Sequence, residues 1–90
     1  MVRFEEMFDS WVKRDGPDTE TQIKVIEWIG NRRADPFAGM LRDTNHPNLW
    51  FGRIPYTLDG EGTLVTVAYE ILTRTRVVRC MLIGRVGLPI

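Results

Sequence analysis

The hydrophobic period of the chain changes once, and that change restricts the folds open to it. Before the polar stretch 42–48 (RDTNHPN), apolar residues recur at helical spacing; after it they alternate or run on, as in strands. Phe4, Met7, Phe8, Trp11 and Val12 stand at i, i+3, i+4, i+7 and i+8, one stripe of an amphipathic helix. Glu5, Glu6, Asp9, Lys13 and Arg14 take the other face, acids first and bases last, which suits the helix dipole. Asp15-Gly16-Pro17 ends the helix, because glycine accepts the left-handed cap and proline cannot continue. Asp18 or Thr19 caps a second helix, and Thr19-x-x-Gln22 has the capping-box pattern. Gln22, Val25, Ile26 and Ile29 form its inner stripe, with Ile23 and Trp28 on the flanks. It ends near 31–34, before Asp35-Pro36. Pro36 opens a short turn in which Phe37, Met40 and Leu41 cover an edge of the core.

Past the loop, 49–57 reads as a strand, with Pro55 marking an edge or bulge. Asp59-Gly60-Glu61-Gly62 is a hairpin loop, 63–73 a second strand, and 76–86 a third, apolar at nearly every position except Arg79 and Arg85. The spacing therefore predicts helices over 3–14 and 18–33 followed by three antiparallel strands, or four, in one α+β domain spanning 1–90. One face of the sheet packs on the helix pair. Phe4, Phe8, Trp11, Ile26, Ile29, Val67, Tyr69 and Leu82 are the expected core.

Composition removes several function classes. One cysteine, Cys80, excludes an internal disulfide and a cysteine-cluster zinc site. Apolar runs are too short to span a membrane, and the N-terminus has no apolar core of signal-peptide length, so a cytoplasmic protein is expected. Twelve basic and twelve acidic side chains give a net charge of zero. The distribution is uneven: residues 1–30 hold four bases and seven acids, and residues 63–90 hold four arginines against Glu70 alone. Ten of the twelve basic residues are arginine, which binds phosphate and carboxylate bidentately where lysine cannot. Genomic composition bias also produces such an excess.

Strong catalytic motifs are absent. No Walker-type glycine loop, metalloprotease helix or EF-hand is present, and Gly60-x-Gly62 reads as a turn. His46 is the only histidine and sits in a polar loop, while Cys80 falls mid-strand, the place of a small buried hydrophobe. The arginines are the better lead. Arg53, Arg79 and Arg85 lie on predicted strands, and Arg74 and Arg76 flank the last hairpin. Converging on the uncovered sheet face, they can hold phosphates, with Trp50, Phe51, Tyr56 and Tyr69 as rings for bases to stack on. The same residues also read as core rings and as edge charges that discourage sheet-to-sheet aggregation.

The layout resembles the RelE/ParE/HigB-like toxin superfamily of type II toxin–antitoxin systems. "ADPFAGML" is similar to that family's segment after the second helix, "LWFGRIP" to its next strand, and "LVTVAYEILTRTRVVRCMLIGRVG" to the following strand pair. The resemblance implies a RelE-like fold, a cognate antitoxin as partner, and either mRNA cleavage on the ribosome or inhibition of gyrase. It implies that Arg53 and Arg85 are the catalytic, phosphate-neutralising pair of a metal-independent endoribonuclease without cofactor. It further implies that Arg74, Arg76, Arg79 and Trp50 bind nucleic acid; the chain departs from the family in that the N-terminal strand is missing or reduced to Val2–Phe4. Zero net charge favours the alternative, a non-enzymatic protein-binding module that engages gyrase or another partner, whereas the Arg-rich C-terminal third favours the ribonuclease. One continuous positive concave face fits nucleic acid, whereas scattered arginines beside an apolar surface fit a protein partner.

Overall fold

The computed structural model describes residues 1–87 and gives two helices followed by a single antiparallel sheet. α1 spans Phe4–Asp15 and α2 spans Thr19–Asn31. Gly16 closes α1 in the left-handed conformation (φ 55°), and its N–H donates to Val12 O. Asp18 caps α2 by accepting from Thr21 N–H at 2.8 Å. The Gln22 side chain does not close a capping box with Thr19 but donates to Pro17 O at 2.9 Å, bracing the turn between the helices.

The strands are β1 (Leu41–Arg42), β2 (Leu49–Arg53), β3 (Thr63–Leu72) and β4 (Val77–Gly87), in spatial order β1-β2-β3-β4. Four strands are thus present, β1 being taken from the end of the turn that Pro36 opens. β2 stops earlier than the spacing predicts. Ile54 N–H still reaches Val65 O at 2.8 Å, but Pro55 has no N–H and Tyr56 turns left-handed (φ 63°). The expected N-terminal strand is a single parallel bridge from Val2 to Arg79, closed by Val2 N–H to Val78 O and Cys80 N–H to Val2 O.

The core lies between the helices and one sheet face. Trp11, Val25, Trp28, Met40, Ile54, Val65, Val67, Tyr69, Ile71, Val78, Cys80 and Ile83 form it, with Phe4, Met7, Phe8, Val12, Ile29 and Trp50 packed around. Two expected core residues lie outside it. Ile26 is 55% exposed because α2 is rotated to aim Trp28 and Val25 inward. The reason is Gly52 on β2: a Cβ there would fall 2.8 Å from Trp28 Cζ2 and 2.5 Å from Met40 Sδ. The largest side chain of α2 fills the space that glycine leaves, so the flank residue becomes the inner one. Leu82 is 40% exposed because β4 carries a bulge: Tyr69 pairs with Cys80 but Ala68 with Leu82, leaving Met81 extra. That insertion moves Leu82 to the opposite face.

Trp11→Ala removes a fully buried indole and should destabilise the domain by about 3–5 kcal/mol in urea unfolding. Gly52→Ala should cost at least about 1–3 kcal/mol, as overpacking does, although the added methyl is apolar. A melting temperature unchanged in Gly52→Ala would show that Trp28 does not occupy this space.

Candidate functional site

Antiparallel partners share a face, so the register assigns each arginine a side of the sheet. Gly52, Trp50, Val65, Val67, Tyr69, Ile71, Val78, Cys80 and Ile83 point to the helices. Leu41, Leu49, Phe51, Arg53, Leu64, Ala68, Glu70, Arg79, Leu82 and Val86 point to the open face. Arg53 lies there opposite Thr66, and its guanidinium has no ion-pair partner among the described residues. Arg79 lies there opposite Glu70, and both its Nε and Nη2 donate to Glu70 Oε1, at 3.0 and 2.7 Å. Its charge is neutralised within the sheet.

Arg85 is on the other side. It pairs with the fully buried Val65, and Nη1 donates to Thr57 O at 2.7 Å and Thr63 O at 3.2 Å. Asp59 Oδ2 stands 3.8 Å away. Asp59 also accepts from the N–H and the hydroxyl of Thr63 and from Glu61 N–H. These hydrogen bonds, those of Thr63 foremost, hold its carboxyl below the ordinary carboxylate value, with Arg85 adding a smaller pull. Buried Thr57 donates to Ile54 O and accepts from Val65 N–H. Arg85 is therefore the clamp of the 54–63 connection. The sheet separates it from Arg53, and the expected phosphate-neutralising pair is not assembled on one face.

The remaining expected contacts scatter. Arg74 and Arg76 project from the exposed 73–76 turn at the end of the β3–β4 hairpin. Trp50 is half-buried on the helix side, edge-on to Phe37 with ring centroids 5.1 Å apart, and the Arg42 guanidinium lies 6.0 Å from its ring. It does not share a face with Arg53. Tyr69 is fully buried, donates to Pro36 O, and has its hydroxyl pushed up to about 12 by burial. Cys80 is fully buried, and burial pushes its thiol up to about 11; it faces the core while His46 lines a hollow with Leu49, Glu70 and Met81 on the other side. Among the described residues no three histidine, cysteine, aspartate or glutamate side chains gather as metal ligands, and no helix is long and apolar enough to cross a membrane.

The arrangement does bring together an apolar surface that the core list omits. Leu41 (54% exposed), Leu82 (40%) and Val86 (39%) stand on the open face with Leu49, Phe51, Leu64 and Ala68, beside Arg53, which has no ion-pair partner among the described residues. The sequence signal for it is the near-continuous apolar run of β4: a strand solvated on one face alternates, and this one does not. No family model matches the chain, and no curated protein or solved structure matches it either.

Replacing Arg85 by Ala strips the Thr57 carbonyl of the guanidinium donor and leaves Thr63 O with the Asp59 N–H, and should cost about 1–3 kcal/mol. Arg53→Ala should change stability by no more than about 0.5 kcal/mol, as surface substitutions do. Equal losses in urea unfolding would contradict the separate roles assigned here. Acid provides a second check. Asp18 and Asp59 both have folded pKa values below 3.8, the Asp18 value through its hydrogen bonds from Thr21. A carboxyl depressed on folding contributes stability above its unfolded pKa and loses it as pH falls through the folded one. Thermal stability should therefore decline as pH drops below about 4, and Asp59→Asn should flatten that decline without abolishing it.

Proposed function

We propose that this chain is a protein-binding module whose working surface is the open face of the sheet. The observation that carries the reading is the apolar surface of Leu41, Phe51, Leu82 and Val86 left uncovered by a domain whose helices pack on the other side. Its partner is an extended or helical segment with acidic residues beside apolar ones. Glu70 is already bound to Arg79, and the Arg14 guanidinium over Gly84 is held by Ile83 O and Asp15, so the cation of the face without such a partner among the described residues is Arg53, complementary to a carboxylate. On the resemblance that the sequence carries, such a segment would belong to a cognate antitoxin or to a target such as gyrase. Ribosome-dependent mRNA cleavage receives less support, because Arg85 is engaged as a clamp, Arg79 is neutralised and Arg53 stands alone.

The test is a benzophenone photocrosslinker at Leu82, compared with one at exposed Glu27 on α2, in cells carrying the gene. Position 82 should give a protein adduct that position 27 does not, and the crosslinked peptide should hold Asp or Glu among apolar residues. A synthetic copy of that peptide should bind the purified chain and lose about tenfold or more in affinity with Leu82→Glu or Arg53→Ala. An adduct to a second copy of the chain overturns the partner assigned here. An RNA adduct, together with mRNA cuts in a primer-extension assay that Arg53→Ala removes, replaces this reading with the ribonuclease one.

A further inference from the structure

The helix side of the molecule carries a cleft that the open-face reading does not use. It has a volume of about 470 Å³ and lies between the segment after α2 and the β3–β4 hairpin. This is within the range of small-molecule sites, roughly 300–1,000 Å³. Its floor is apolar: Ile71 and Val78 are core residues, and Phe37 gives it an aromatic wall. Its charged and polar side chains are those of Arg33, Arg76 and Thr73, and Met1 lines it as well. No acidic side chain lines it among the described residues, and neither arginine has an ion-pair partner among them.

The backbone supplies a second observation. Arg76 is left-handed, with φ 56°, at the last position of the 73–76 turn. Glycine or asparagine takes that conformation with less strain, and arginine has no short polar group with which to satisfy the local backbone. Arg76 and Arg33 both line the cleft.

We infer that this cleft binds a nucleoside monophosphate. Two guanidinium ions and a hydroxyl match the donor set that a phosphate monoester requires, and guanidinium recognises phosphate through paired N–H donors. The apolar floor and the Phe37 ring accept the flat base. The inference is independent of the open-face reading, since Ile71 and Val78 place the cleft on the helix side.

Isothermal titration calorimetry of the purified chain with AMP at low salt tests it. AMP should bind, adenosine should not, and inorganic phosphate should bind about tenfold more weakly than AMP. Arg33→Ala and Arg76→Gly should each weaken AMP binding about tenfold, the loss of one charge-assisted contact. Arg76→Gly keeps the left-handed turn and Arg33 is exposed, so both variants should melt with the parent. Arg53→Ala should leave AMP binding unchanged while weakening the open-face partner, which separates the two surfaces. Absence of AMP binding, AMP affinity unchanged in both cleft variants, or AMP no tighter than phosphate each overturns the assignment.

Discussion

Trp28 occupies the space where a side chain at position 52 would have to be. A single absent Cβ on β2 admits the indole of α2 and the thioether of Met40 against the middle of the sheet. The rotation of α2 follows from this contact. With Trp28 and Val25 turned inward, Ile23 and Ile26 are carried to the solvent side. The position of the connection follows too. Arg32, at the end of α2, lies over the Trp28 ring at 4.2 Å, and the next residues pass across Tyr69, whose hydroxyl is bonded to Pro36 O. The Arg33–Phe37 wall of the cleft is therefore placed by how the glycine and the tryptophan fit.

A domain with one helix layer covers one face of its sheet. Ordinary single-layer sheets answer this with polar residues on the wet side. β4 does so only at Arg79 and at Gly84, above which the Arg14 side chain lies as it donates to Ile83 O. The bulge at Met81 has a directional consequence. Without the extra residue, the alternation through Cys80 would place Leu82 inward and Ile83 outward. With it, Ile83 seals the core against Val67, and Leu82 joins Phe51 and Ala68 on the open face. The uncovered apolar surface comes from the same irregularity that completes the core.

Helix positions and strand order were legible because they rest on local signals. The Gly16 cap, the Asp18 cap and the switch of period at 42–48 each act within a few residues. The faces were less legible, because they depend on contacts distant in sequence. Nothing near Ile26 says that Gly52 will select Trp28. Nothing in the alternation of β4 says that Met81 is extra. Among the site residues, the strand positions of Arg53, Arg79 and Arg85 could be read, but their partners could not. Glu70 meets Arg79 only through the β3–β4 register, and Thr57 meets Arg85 only because Pro55 and Tyr56 turn the chain back. Arg33 carried no signal at all, since its cleft forms from segments separated by about forty residues.

The arginines then separate by what surrounds the guanidinium, not by where they fall along the strands. Arg85 is engaged by two carbonyls and an aspartate and Arg79 by one carboxylate, while Arg32 lies over the face of an indole with its Nε lacking a hydrogen-bond partner among the described residues. A guanidinium so engaged would have to break those contacts before binding an external anion, and the Thr57 carbonyl left behind by Arg85 would lose that donor. Arg53, Arg33 and Arg76 carry no such penalty. Charge recognition in this molecule therefore belongs to residues that hold nothing else together. Those residues stand on two sides of one sheet, Arg53 amid the apolar open face and the Arg33–Arg76 pair over the apolar floor of a cleft. A flat apolar surface with one cation suits a chain segment, whereas a bounded cleft with two suits a small anion with a ring. The neutral total charge is compatible with both proposals, because each rests on one or two guanidinium groups without an ion-pair partner among the described residues.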